Sequence, residues 1–167
     1  MIRVIDKITA VAAGVAAWMI FSIGVMVTYE VVMRKVFNSP TIWVDETARF
    51  FQVWAVYLAS AHILKRRSLI TVELFTGSLS KSTLRILELL SLLIIAFFSF
   101  VALYYGTGVV LESIELGRKT STMLGVPKYL TESAIPVGFG LLFVQAVIEF
   151  LKLVRGDDVA APAGHQV

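Results

Sequence analysis

Two runs in this sequence carry no charged residue over a length that few soluble folds could bury: 22 residues from Ile8 to Tyr29 and 23 from Leu89 to Leu111. At about 1.5 Å of rise per residue, roughly 20 apolar residues cross the ~30 Å hydrocarbon layer of a bilayer. Two further stretches are predicted to cross. One covers 42–64, with a charge-free part, Phe50 to Leu64, short enough to leave its first two turns among headgroups. The other covers 129–152, with Glu132 and Glu149 near its ends. The predicted fold class is an all-α membrane protein: four transmembrane helices over about 8–33, 42–64, 86–115 and 129–152, in one domain of residues 1–155. The first run follows two bases, as in a signal peptide, but it exceeds an h-region of roughly 7–15 residues and reads as an uncleaved span.

The connections carry their own signals. In "RRSLITVELFTGSLSKST", Leu69, Val72, Phe75 and Leu79 recur at helical spacing in a stretch too short to span, which predicts a short interfacial helix between the second and third spans. In "LGRKTSTMLGVPKYL", Gly125 is expected to end one element and Pro127 to open the next helix. The tail, 156–167, is small and polar and is expected to be disordered.

Composition narrows the chemistry. The chain is 57% hydrophobic and 16% charged, against about 45–50% and 25% in soluble domains. It has no Cys, so disulfides, thiolate metal sites and thiol catalysis are excluded. No metal-ligand spacing, nucleophile–base pair or phosphate loop occurs, and "GTG" at Gly106 to Gly108 lacks the rest of a dinucleotide motif. The sequence therefore predicts no catalytic or substrate-binding residue, no metal, no cofactor and no enzyme activity. The net charge of +3 is modest and its bases flank apolar runs, a pattern of membrane orientation rather than nucleic-acid binding.

Four spans place both termini on one side. Arg3, Lys7, Lys65, Arg66, Arg67, Lys81, Arg85, Lys152 and Arg155 lie on that side; Arg34, Lys35, Arg49, Arg118, Lys119 and Lys128 lie on the other. The excess, led by the 65–67 cluster, predicts cytoplasmic termini.

The turn between the first two spans, "VFNSPTIWVDETARFF", gathers charge beside hydrocarbon. Asn38-Ser39-Pro40 reads as a helix stop and restart, with Ser39 a possible cap and Pro40 in the first turn. Arg49 can reach Asp45 or Glu46 along one face, Glu30 and Arg34 form a second i,i+4 pair, and Trp43 suits the headgroup layer. Glu30, Arg34, Asn38, Pro40, Trp43, Asp45, Glu46 and Arg49 thus form a candidate interface hairpin. Three readings stay open for it: mutual neutralisation and anchoring, docking of a partner protein, or a substrate or ion site.

The middle of the membrane is bare by contrast. The central parts of all four spans hold no Asp, Glu, Lys or Arg; Gln52, Ser60, His62 and Gln145 are the polar exceptions. Intramembrane charges usually mark substrate or proton pathways, so the chain is not expected to transport alone. Small residues are plentiful: Ala10, Ala13, Gly14 and Ala17 on the first span, Ala55 and Ala59 on the second, Ala134 and Gly138 on the fourth. They predict close helix packing, within a four-helix bundle or against a partner. Pro136 removes a hydrogen bond to the carbonyl of Glu132 and predicts a kinked fourth helix.

The whole chain resembles the small membrane subunit, the Q subunit, of tripartite ATP-independent periplasmic (TRAP) transporters. "VFNSPTIWVDETARF" is similar to that family's Asn-x-Pro-x-x-Trp-x-x-Glu-x-x-Arg pattern through Asn38, Pro40, Trp43, Glu46 and Arg49. "KRRSLITVEL" resembles its basic middle segment, with Leu69 and Glu73 where the family often has His and Asp. "TSTMLGVPKYLTESAIPVGFG" resembles its entry into the last span through Pro127 and Ile135-Pro136-x-Gly138. The agreement runs over about residues 5–155. The resemblance implies a non-catalytic scaffold subunit of a sodium-coupled secondary transporter for an organic acid, in a bacterial or archaeal cytoplasmic (inner) membrane. It implies as partners a large multi-span membrane subunit that carries the substrate and sodium sites and works as an elevator, a periplasmic substrate-binding protein acting through the assembled complex, and membrane lipid. The alternative is a self-sufficient small carrier or channel acting as a homo-oligomer.

Overall fold

The computed structural model describes residues 2–65, 81–122 and 125–155. Among them it contains helices α1 (Ile2–Val36), α2 (Ile42–Lys65), α3 (Lys81–Glu115), α4 (Tyr129–Glu132) and α5 (Ala134–Arg155). No strand occurs among these residues beyond one antiparallel bridge between Lys119 and Pro127. The expected interfacial helix at 66–80 and the tail at 156–167 lie outside the described residues. Three stretches are long and apolar enough to cross a membrane: Ile5–Val36, Arg85–Glu115 and Tyr129–Arg155. α2 is not among them; Asp45, Glu46, Arg49, Gln52, His62 and Lys65 dilute its 24 residues.

The helices stand in a row rather than in a closed bundle. α1 packs on α2, α2 on α5 and α5 on α3, while α1 and α3 make no packed interface with each other. The pattern of buried positions explains the order. On α3 the fully or nearly buried residues are Leu92, Ser99, Gly106 and Ser113, each seven residues after the last, a single seam that serves one neighbour. On α1 the buried residues are Thr9 and Ala16, again seven apart and again one seam. α5 buries Ala134, Gly138, Gln145, Ala146, Glu149 and Leu153, which cover one face roughly 120° wide at 3.6 residues per turn, broad enough to meet two neighbours.

The small residues set the closest approaches, because backbones gain dispersion contacts where no side chain intervenes. A Cβ on Gly138 would lie 2.5 Å from the Cβ of Tyr57 and 3.0 Å from its carbonyl oxygen, so α5 presses directly on α2 there. A Cβ on Gly106 would lie 2.8 Å from Cγ2 of Ile135, which joins α3 to α5. Ala55 and Ala134 are also buried, and Ala59 is half-buried. The seam expected on the first helix is displaced. Ala13 is half-buried, but Ala10, Gly14 and Ala17 are exposed and Ala16 takes the contact.

Polar bonds pin neighbouring helices near their ends. Asp6 and Lys65 form an ion pair of 3.2 Å between α1 and α2, and Tyr29 meets Trp43 at the other end with ring centroids 6.3 Å apart. The Arg85 guanidinium donates to the carbonyl of Leu153 at 2.7 Å, satisfying an orphan acceptor in the last turn of α5. Trp54 Nε1 donates to the carbonyl of Leu130 at 3.0 Å, tying α2 to α4.

The connection after α3 and the entry into the last helix refine the sequence reading. α3 closes at Gly117, whose φ of +57° suits a residue without Cβ; Gly117 N–H returns to Ile114 and Arg118 N–H to Ser113, both near 3 Å. Gly125 sits later, in the turn before the Lys119–Pro127 bridge, and Pro127 belongs to that bridge rather than to a helix start. The last helix is interrupted at Ser133, between α4 and α5. That break lies three residues before Pro136, within reach of the hydrogen bond that proline cannot make.

Candidate partner interface

The charged hairpin lies where α1 hands over to α2. Asn38 takes a left-handed φ of +51°, which folds the chain so that Ser39 N–H reaches the carbonyl of Met33 at 3.1 Å. Asn tolerates this conformation better than most residues because its short amide side chain bonds locally. α2 begins at Ile42, so Pro40 lies ahead of the first turn and Ser39 is too far back to cap it. The connector is Thr41. Its backbone N–H donates to Glu30 Oε2 at 2.9 Å, and its hydroxyl donates to the same oxygen. Glu30 therefore bonds across the turn to Thr41 and makes no ion pair with Arg34.

Arg49 does reach Asp45, at 2.9 Å, with both side chains largely exposed. Glu46 beside them is half-buried. It lines two adjoining crevices together with Arg49 and Thr122. The first, about 420 Å³, is mostly apolar and runs past Phe50, Val53, Val126 and Leu130. The second, about 510 Å³, is edged by Glu30, Arg34, Pro40, Thr41 and Asp45. The structure thus brings Glu30, Arg34, Pro40, Asp45, Glu46 and Arg49 to one rim, with Thr120, Ser121 and Thr122 as its far wall. Asn38 shapes the turn behind it and Trp43 packs on Tyr29 beside it. Sequence reasoning passed over Thr41, Thr122 and Trp54. Thr41 had a signal: a threonine immediately before an apolar helical run is a favoured capping type. Thr122 and Trp54 join the site only through the tertiary fold.

Among the described residues no group of three or more His, Asp or Glu is placed to hold a metal ion. Glu149 is buried; it accepts from Gln145 Nε2 at 3.0 Å and pairs with Lys152 at 2.8 Å. It stands six residues before the end of α5, away from the hairpin and from the helix centre.

Residues 23–156 match the family described as tripartite ATP-independent periplasmic transporters, DctQ component. The chain belongs to this family. This DctQ component is also 28% identical over 116 residues to the isethionate TRAP transporter permease protein DctMQ of Oleidesulfovibrio alaskensis (strain ATCC BAA-1058 / DSM 17464 / G20). That alignment covers 68% of this chain and 18% of the relative, so the chain spans under a fifth of the length of the protein it matches. Family and fold agree on a small TRAP-type membrane subunit with several apolar helices. The family is a transporter component rather than an enzyme family.

Proposed function

We propose that this chain is the non-catalytic scaffold subunit of a sodium-coupled TRAP transporter for an organic acid, bracing a large elevator-type membrane subunit that is served by a periplasmic binding protein. The observation that carries the reading is the bare centre of the helices. Between Lys7 and Glu30, Glu88 and Glu112, and Glu132 and Glu149, no Asp, Glu, Lys or Arg interrupts α1, α3 or the last helix. A carrier for an ionic substrate needs polar groups at mid-depth, and here they would have to come from another chain. An open row suits a brace: it leaves long apolar faces, including Trp18, Phe21, Phe97, Phe100 and Tyr104, exposed for lipid and for a partner.

In this reading α2 is the fourth crossing. It lies against α1 from the Tyr29–Trp43 contact to the Asp6–Lys65 pair, so it shares the depth of a helix that spans. Both termini then face the cytoplasm of the inner membrane, and the crevices around Glu46 and Arg49 face the periplasm as a docking rim.

The test is co-purification in mild detergent followed by reconstitution. A large polytopic protein should accompany the chain, and liposomes holding this chain alone should take up no organic acid. Sodium-driven uptake by the chain alone would refute the scaffold assignment and support the homo-oligomeric carrier.

A further inference from the structure

One part of the apolar surface dips into a shallow, wide-open groove. It measures about 900 Å³ and is walled by Val11 and Val15 of α1 and by Val137, Gly140 and Val144 of α5, with Leu58 of α2 between them. Its lining is apolar except for Lys7 at one end. Lys7 lies at the Val144 end, because Asp6 is bound to Lys65 and Leu64 of α2 clusters with Ala146.

Two features say what fills it. Lys7 is exposed and has no hydrogen-bond or ion-pair partner among the described residues. Two acids near this end of the helices, Asp6 and Glu149, are engaged by Lys65 and Lys152. A cation at the edge of hydrocarbon with no counter-charge among the described residues suits an anionic headgroup. The second feature is length. From Lys7 to Val15, and from Val144 back to Pro136, the walls run eight residues, about 12 Å. That is close to the ~15 Å hydrocarbon depth of one leaflet. A crossing partner helix would need a contact surface through both leaflets and an acid to meet Lys7.

We propose that this groove is a binding site for one anionic phospholipid, its phosphate on Lys7 Nζ and an acyl chain along Val11, Val15, Gly140 and Val144. The site requires only that α1 and the last helix span, and it stands whether or not the scaffold reading holds.

The full chain is extracted from nanodiscs containing phosphatidylcholine and a minor share of phosphatidylglycerol, and retained lipid is read by native mass spectrometry. Wild type should retain phosphatidylglycerol selectively. Lys7→Ala should lower that retention about fivefold, the ~1 kcal/mol one basic residue contributes beside an anionic membrane, and Lys7→Arg should preserve it. Val11→Trp, which fills an exposed wall position without touching Lys7, should lower retention of either lipid, with helicity and melting temperature confirming the fold of each variant. A photo-reactive side chain at position 11 in native membranes gives a second readout, in which a phospholipid adduct is expected. Equal phosphatidylglycerol retention in wild type and Lys7→Ala, or a protein adduct at position 11 in place of lipid, would overturn the assignment.

Discussion

Replacing Gly138 with Ala is the sharpest test of how α2 and α5 are held together. The new methyl carbon would stand 2.5 Å from Tyr57 Cβ, 3.0 Å from its Cδ1 and 3.0 Å from its carbonyl oxygen. The first and last of these atoms cannot rotate away, so the helices must separate. Overpacking of a tight contact costs about 1–3 kcal/mol, and a clash with backbone belongs at the upper end of that range. Alanine's better helix propensity, about 1 kcal/mol over glycine, offsets only part of it. Two other glycines serve as controls. A Cβ on Gly140 would meet only Leu103 Cδ1 at 3.7 Å, and one on Gly14 would meet nothing within 4 Å, so both alanine variants should be neutral or slightly stabilised. Partners at Tyr57 sharpen the test. Tyr57→Ala keeps the offending Cβ and should fail to rescue Gly138→Ala, whereas Tyr57→Gly should recover part of the loss. The assay is reversible unfolding in mixed micelles followed by circular dichroism. Equal stability of Gly138→Ala and Gly140→Ala, or rescue by Tyr57→Ala, would refute the contact.

Thr41→Val should loosen the α1–α2 turn by removing the hydroxyl bond to Glu30, and limited proteolysis near residue 40 should show it, while Arg34→Ala should leave the cleavage pattern unchanged. Trp54→Phe should cost about 1 kcal/mol, the typical net worth of a hydrogen bond, read in the same unfolding assay. Glu46→Ala and Arg49→Ala should each lower co-purification of a large membrane subunit several-fold while membrane insertion stays normal. For Arg49 the exposed pair with Asp45 is worth only about 0.3–0.5 kcal/mol, so a change in complex yield would report docking rather than stability; normal yield in both variants would remove the docking role.

What the sequence made legible follows from where its chemistry is local. Charge-free runs announce helices because the bilayer penalises anything else, and the Asn38-Ser39-Pro40 stop is legible because left-handed Asn and proline act on their own backbone. The cap of α2 was read at Ser39 and Pro40, too early in the chain, because the residue that precedes the helix, Thr41, is fixed by Glu30, a partner one helix away. Gly117, which closes α3, was passed over, although a glycine between an apolar run and the basic Arg118-Lys119 is a local signal. The seam on α1 was shifted by a similar ambiguity. When every face of a helix is apolar, hydrophobic periodicity no longer says which face meets protein, and small residues occur on several.

The open row follows from that same ambiguity. α3 has one heptad seam, Leu92, Ser99, Gly106 and Ser113, and its other faces are bulky and apolar, with Phe97, Phe100 and Tyr104 exposed. In water such faces would drive the row to curl shut until α1 met α3. In lipid, hydrocarbon solvates them as well as leucine would, so no hydrophobic force closes the row and the seams alone set which helices touch. The faces left over are then free to meet lipid in a groove or a partner along a flank. A chain that needed to enclose a pathway of its own would place a second seam on α1 or α3, and neither helix has one.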